Sequence, residues 1–348
     1  MRAALIEEFR GAIKIGQAPD PVCQPHGAII RVEACGVCRS DHHSWSGHDP
    51  DVVLPHVMGH EFAGVIVETG SDTRRVNVGD RVTAPFILGC GECKDCISGN
   101  ATICDHQDVM GFTDWGAFAE MLAVPNADFN LVGLPEEMDY ATAAGMGCRV
   151  TTSYRALTDR LNLKPREWLA VHGCGGVGLA AIQIAKALGA RVIAMDLNHE
   201  ALTLAKKFGA EKILNVASTD RVGETIRAFT DGGAHASIDA LGMDVTYENS
   251  IRGLRKLGRH VQVGMPVKHP NVNLPLLELV YSRQISIMGS RGIAPQGFNG
   301  LMALATSKNM DLSSLVTKTI GLSEVEASLK AMDHFQASGV TVITDMQG

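Results

Sequence analysis

The sequence predicts an α/β protein built around a doubly wound parallel sheet, with a separate β-rich domain in front of it. Three observations predict this. From Leu169 onward, short apolar strands alternate with amphipathic helices without a long break. Before Ala141, short alternating segments are punctuated by Gly and Pro turns instead. Where the first α/β unit begins, the run LAVHGCGGVGLAAIQIAKALGARVIAMDL carries glycines spaced G-x-G-x-x-G between a strand and a helix.

Taken in order, AIIRVEAC, FAGVIVETG, DRVTAP and FAEMLAVP read as the strands of the first domain, expected over residues 1–148. The second domain, expected over 149–289, starts with a strand at Leu169–Val171 and a helix at Val177–Leu188. Arg191–Met195 and Lys212–Val216 are strands with the helix Leu202–Phe208 between them. The helix Val222–Phe229, the strand His235–Asp239 and a helix over Val245–Leu257 follow. Arg259–Val263 and residues 285–289 complete the strands. KHPNVNLPLLELV reads as a loop and a helix that could reach a neighbouring subunit. The tail, 290–348, returns to mixed helix and strand and is expected to rejoin the first domain.

Composition narrows the function. Among 348 residues, 45% are apolar and 20% charged, with a formal charge of -7. That is a globular chain with no basic footprint for nucleic acid. No apolar run reaches the roughly 18 residues of a membrane span. The opening MRAALIEEFRG carries acids too early for a secretory signal. Nine cysteines in a chain of this length point to reduced thiols and a cytoplasmic location rather than a disulfide scaffold.

Four of those cysteines fall within CGECKDCISGNATIC, in a lobe at 89–105. Two residues separate Cys90 from Cys93 and Cys93 from Cys96, and seven separate Cys96 from Cys104. Such spacing lets tight turns aim four thiolates at one zinc ion, and a fully ligated zinc is structural. An iron–sulfur cluster is the rival, but the ferredoxin run ends in Cys-Pro and Cys104 is followed by Asp105. A second set of donors flanks the lobe: Cys38 in CGVCRSDHHSW, His60 and Glu61 in GHEFAGVIVETG, and Cys148 in GMGCRVTTSYRAL. Two thiolates and an imidazole would leave zinc a fourth position for water or substrate. Asp41 is a candidate to orient His60. Glu61 is either such a supporting carboxylate or a ligand in place of Cys148.

In the nucleotide run, Gly173 permits the tight turn, Gly175 a close approach of pyrophosphate, and Gly178 close packing of helix on strand. Gly176 and Val177 open the helix whose free N–H groups face phosphate. Asp196, ending the next strand, would accept the adenosine ribose hydroxyls and repel a 2′-phosphate, which favours NAD over NADP.

Together these segments, with GDRVTAPF, resemble the zinc-dependent medium-chain alcohol dehydrogenases over nearly the whole chain. The resemblance implies a GroES-like catalytic domain and a Rossmann domain. It implies two zinc ions per subunit: a catalytic one on Cys38, His60 and Cys148, and a structural one on Cys90, Cys93, Cys96 and Cys104. Ser40 then matches the hydroxyl that touches the substrate oxygen, and His43 the outer member of a proton relay. Arg39 matches a base near the cofactor pyrophosphate, and Thr152 a residue beside the nicotinamide. The substrate would be a small primary or secondary alcohol, or its aldehyde or ketone. The subunit would form a dimer or a tetramer. An NAD-dependent polyol dehydrogenase is the closest alternative, and a non-enzymatic zinc and NAD redox sensor the alternative of another class. One departure stands out: SGVTVITD near the C-terminus lacks the basic residue that many relatives carry for the pyrophosphate.

Overall fold

The last strand of the chain, Val340–Asp345, runs antiparallel beside Ala28–Val37, so the C-terminal segment packs with the N-terminal strands. This computed structural model describes residues 1–267, 271–307, 310–334 and 339–348. Lys268, His269 and Pro270 of the predicted loop, and Ser338 of SGVTVITD, lie outside the described residues.

Contacts divide the chain into two compact units. The first comprises Met1–Thr151, Gly292–Gly300 and Leu312–Gly348, and the second Thr152–Arg291 and Leu301–Asp311. The chain therefore passes back into the second unit at 301–311, a stretch that the sequence alone assigns to the returning tail.

In the first unit, Ala28–Val37 is the central strand, paired with Glu61–Thr69, Met121–Val124 and Val340–Asp345. Its alternation, shifted by an irregularity between Val32 and Ala34, places Ile30, Val32 and Cys35 in a core shared with Phe62, Ile66 and Phe118. The register sets Gly36 opposite Glu61, so the strand end that leads into Cys38 lies beside the strand start that follows His60. Trp45 is a core residue at 2% exposure. Its indole N–H donates to the Gly11 carbonyl at 2.9 Å.

In the second unit, six parallel strands form one sheet among the described residues. The order across it is Lys212–Asn215, Arg191–Asp196, Trp168–His172, Ala234–Asp239, Leu254–Gln262, Ser286–Gly289. Numbered by sequence this is 3-2-1-4-5-6, the order of dinucleotide-binding sheets. Helices Gly176–Ala187, His199–Phe208 and Val222–Phe229 join successive strands. Two elements differ from expectation. The helix predicted over Val245–Leu257 spans Asp244–Arg252, and Leu254 already begins the next strand. Leu254 stands at helical spacing from Ile251, so the apolar pattern runs on into the strand. Gly253, as the cap, ends the helix. The predicted helix in PLLELV is a wide turn, Leu276–Tyr281.

Candidate active site and metal centres

Cys38 follows the central strand of the first unit and stands at the N-terminus of the helix Arg39–Trp45. Asp41, in the first turn of that helix, accepts from the Cys38 backbone N–H at 2.7 Å. Its other oxygen lies 2.9 Å from His60 Nδ1 and accepts from the Gly59 N–H at 3.3 Å. Asp41 and His60 are both fully buried. A carboxylate here can only accept, so Nδ1 carries a proton, and Nε2 is the nitrogen turned away from Asp41, the one a cation would bind on displacing its proton. Against the downward push of burial, Asp41 holds the imidazole well above its ordinary pKa. Asp41 thus stands where a carboxylate orients a ligating imidazole.

Cys148 arrives on a wide helical turn, Met146–Val150. Its Sγ, Cys38 Sγ, a His60 ring nitrogen and a Glu61 oxygen lie within 4.8 Å of one another. Hydrogen bonding to Cys148 pulls the Cys38 thiol well below its ordinary pKa, and the same bond pushes Cys148 well above. Thiolates are what a metal ion takes, so a cation held between the two sulfurs would release their protons. Phe86 and Phe112 pack on the His60 ring at 5.7 and 5.2 Å between centroids, and with Val52, Ile87 and Val109 they give the donors an apolar wall.

Glu61 is differently placed from the other three. Its Oε1 accepts from the backbone N–H groups of Cys148 at 3.1 Å and Arg149 at 3.3 Å, and from Arg149 Nε at 3.1 Å. Its Oε2 pairs with Arg149 Nη2. Burial pushes the Glu61 carboxyl up to about 7. The Arg149 guanidinium pulls the other way and keeps burial from raising it further. Arg149 also donates to the Val37 carbonyl at 2.6 Å, tying Cys38's strand to Cys148's turn. The approach is close enough to require glycine twice. A Cβ on Gly36 would sit 2.2 Å from Glu61 Oε2, and one on Gly147 2.8 Å from Glu61 Cα. Sequence reasoning missed Arg149. The signal was a lone cation inside the otherwise small and apolar GMGCRV, beside a candidate ligand.

Ser40 and His43 share the helix with Asp41. Ser40 Oγ lies 3.2 Å from Cys38 Sγ and 3.4 Å from His60 Nε2, at the mouth of the donor set. His43 is half-buried and its Nδ1 has no partner. Burial, then His42, Arg39 and His48, push its pKa down to about 4. Arg39 Nη1 donates to the Met332 carbonyl at 2.7 Å. His42, the neighbour of His43, is buried with Nε2 2.9 Å from Asp333.

The four-cysteine lobe forms a compact cluster. Cys90 and Cys96 sulfurs lie 3.9 Å apart, and those of Cys93 and Cys104 3.7 Å. A zinc tetrahedron with ~2.3 Å bonds has edges of about 3.8 Å, so the four donors fit that ion. Backbone N–H groups of Cys93, Cys96 and His106 point at sulfurs at 3.3–3.4 Å, as thiolates require. Asn130, which no sequence pattern singles out, clamps the lobe. It accepts from the Gly89 N–H at 2.9 Å and donates to the Gly89 and Pro125 carbonyls at 3.0 Å.

In the second unit, Gly175 caps the helix that begins with Gly176, Val177 and Gly178. Gly173 has φ +92°, and a Cβ on Gly178 would stand 1.8 Å from the Gly173 carbonyl oxygen. Around Gly175 nothing lies within 4 Å of such a Cβ, so the space outside it is open. Asp196 Oδ2 accepts from the Cys174 N–H at 2.7 Å and Oδ1 from the Asn198 N–H at 2.8 Å, which leaves lone pairs on both oxygens. Cys174 itself is fully buried, and burial pushes its thiol up, as fits a small filler. Thr152 is buried in the helix Thr151–Arg155.

A β-rich unit with an open donor set of two cysteines and one histidine, a closed four-cysteine lobe, and a 3-2-1-4-5-6 sheet further along the chain define a zinc-binding dehydrogenase. Comparison with known proteins gives the same class. The alcohol dehydrogenase GroES-like domain pattern matches residues 24–136, and the zinc-binding dehydrogenase pattern residues 176–307. An alcohol dehydrogenase of Geobacillus stearothermophilus is 35% identical over 292 residues, covering 83% of this chain and 84% of its own. An NAD-dependent alcohol dehydrogenase of Sulfurisphaera tokodaii is 34% identical over 354 residues, 99% of each chain. The solved structure of alcohol dehydrogenase TADH from Thermus sp. ATN1 superposes with a TM-score of 0.89 at 29% identity, covering 99% of both chains. The chain belongs to the zinc-binding medium-chain alcohol dehydrogenase family.

Proposed function

We infer that this chain is a zinc-dependent, NAD-linked alcohol dehydrogenase. It interconverts small primary or secondary alcohols with aldehydes or ketones. The observation that carries this reading is the donor set of Cys38, His60 and Cys148, whose fourth neighbour, Glu61, is already engaged by Arg149 and two backbone N–H groups. Three donors with a free position suit catalysis, and the Arg149 pairing disfavours Glu61 as a ligand in place of Cys148. Cys90, Cys93, Cys96 and Cys104 would hold a second, structural ion, giving two per subunit.

Bound zinc supplies Lewis acidity that makes a hydroxyl more acidic, and bound NAD supplies the hydride acceptor. The chain's own residues do the rest. Asp41 fixes the His60 tautomer and ring plane. Glu61 and Arg149 fix the turn that carries Cys148. Ser40 would relay the substrate proton, its Oγ accepting that proton as its own hydroxyl hydrogen moves on towards His43. His43, neutral at pH 7, is the outward acceptor, and with its pKa near 4 it passes a proton to solvent rather than storing it. Arg39 would meet the pyrophosphate, Thr152 the nicotinamide, and Asp196 the adenosine ribose. The Phe86 and Phe112 wall keeps the reacting atoms in an apolar setting.

A dimer or tetramer fits the second unit. Ser286–Gly289 is an edge strand among the described residues, and Leu276, Leu277, Tyr281 and Ile287 are 40–76% exposed. A cytoplasmic location agrees with nine free cysteines, and no described helix is long and apolar enough to cross a membrane.

The test is NADH formation by zinc-loaded enzyme with primary alcohols, secondary alcohols and a polyol, in parallel with NADP. Turnover of simple alcohols with NAD is expected. Turnover with polyols alone, with NADP alone, or with none of them would overturn the reading.

A further inference from the structure

The second unit holds a buried polar chain that neither the metal chemistry nor the phosphate loop uses. Asp239, fully buried, ends the fourth strand of the sheet. Its Oδ1 accepts from the N–H groups of Leu241 at 2.8 Å and Gly242 at 3.2 Å, and from Thr246 Oγ1 at 3.1 Å. Its Oδ2 accepts from Gln262 Nε2 at 3.1 Å. That same nitrogen donates to the Gly264 carbonyl at 2.7 Å. Gln262 Oε1 faces His260 Nε2 at 3.3 Å. His260 Nδ1 meets the hydroxyls of Ser237 at 3.1 Å and Ser250 at 2.9 Å.

The polarity of the chain follows from one residue. A carboxylate donates nothing, so Gln262 turns its NH2 to Asp239 and its oxygen to His260. His260 must then carry its proton on Nε2, and the single lone pair on Nδ1 accepts from the nearer hydroxyl, Ser250, with Ser237 beside it. Asp239 thereby orders groups on two strands and one helix. Its own backbone carbonyl also accepts from Val263 at 3.1 Å and Gly264 at 2.8 Å.

What this chain controls is the pair of turns that leave the fourth and fifth strands. They pack backbone on backbone. A Cβ on Gly242 would lie 2.4 Å from the Met265 carbonyl oxygen, and one on Gly264 2.3 Å from the Gly242 nitrogen. The first turn also leans on the phosphate loop, since a Cβ on Gly173 would lie 2.6 Å from Leu241 Cγ. In a doubly wound sheet the ligand lies outside the carboxyl ends of the strands, across the point where strand order reverses. Here that point is between the first and fourth strands. Asp196 marks the adenosine side, at the end of the second strand. The other nucleotide half must therefore lie over the turns at the ends of the fourth and fifth.

We propose that the buried chain from Ser237 and Ser250 through His260 and Gln262 to Asp239 and Thr246 is a positioning device for the nicotinamide half of the dinucleotide. The proposal rests on the NAD-linked reading above. Its members touch no reacting atom. They hold two turns rigid so that no ordering remains to be done on binding.

The distinguishing test compares ligands that share the adenosine half. Affinities of NADH and of ADP-ribose, which lacks nicotinamide, are measured by titration calorimetry for wild type, Asp239→Asn and Thr246→Val. Asp239→Asn keeps the shape and removes the polarity. Thr246→Val removes one hydroxyl donor and guards against a folding failure of the first. We expect roughly tenfold or greater loss for NADH in Asp239→Asn, a smaller loss in Thr246→Val, and ADP-ribose affinity within about twofold of wild type in both. The fluorescence of bound NADH should shift in the variants. Equal losses for both ligands, or no loss for NADH in a folded variant, would overturn the proposal. Failure of the wild type to bind NADH would instead overturn the NAD-linked reading.

Discussion

Placing a methyl group at Gly178 should dismantle the nucleotide loop, whereas the same change at Gly175 should not. The Gly178 Cβ would arrive 1.8 Å from the Gly173 carbonyl oxygen and 2.9 Å from its carbon. Real Cβ contacts do not fall below 3.0 Å, so helix and loop must part by about 1.2 Å. The obstacle is backbone, and no side chain can rotate away. Overpacking of this kind costs about 1–3 kcal/mol, and rigid neighbours favour the upper end. The displaced part is the turn that would cradle pyrophosphate, so a loss of about 2–3 kcal/mol in NADH binding, roughly thirty- to a hundred-and-fiftyfold, is expected of Gly178→Ala. Gly175→Ala puts its methyl into open space, so the melting temperature should hold and only ligand binding should suffer. NADH titration with thermal melts of both variants checks this. A folded Gly178→Ala protein that binds NADH within about threefold of wild type would show the packing argument to be wrong, as would a Gly175→Ala protein that melts as early as Gly178→Ala.

Two further outcomes follow from buried charge. Arg149→Met leaves the Glu61 carboxylate buried without its guanidinium, and a loss of about 3–5 kcal/mol is expected in urea unfolding, partly restored by adding Glu61→Gln; a loss under about 1 kcal/mol would contradict the pairing. Acid should also destabilise the fold through two histidines of the second unit. Burial, with His260 beside it, pushes His172 down to about 3, and burial pushes His260 down to about 4. The unfolded chain titrates near pH 6.5. Below that pH it binds protons that the fold refuses, so stability falls as pH drops from about 6.5 towards 4, by about 2–3 kcal/mol per pH unit for the two together. His172→Leu should roughly halve that slope in urea midpoints measured across the window; a flat wild-type profile there would contradict it.

Much of the architecture was legible because periodicity and glycine spacing report local geometry. The strand, glycine loop, helix, strand and Asp196 occur in one continuous run, and so do the lobe cysteines. The helix end at Arg252 was not legible, since Leu254 keeps helical spacing while belonging to a strand. The donor residues could be named because zinc chemistry restricts the residue types. Their supports could not. Arg149, Asn130, Asp333 and Gln262 act through partners 41 to 291 positions away or through buried neighbours on adjoining strands, and no local pattern records such pairings. The role of Glu61 turns on Arg149, so it stayed open until the two were seen together.

An open zinc site on Cys38, His60 and Cys148 that drives NAD-linked alcohol oxidation is tested most directly by zinc content per chain. It is measured on wild type and on Cys148→Ser, with NADH formation assayed on the same samples. Two zinc ions should fall to one, with turnover lost and the circular dichroism spectrum unchanged. Two ions retained in Cys148→Ser with surviving turnover would contradict such a site and move the third ligand to Glu61, and a wild-type protein with one ion and no turnover would contradict it too.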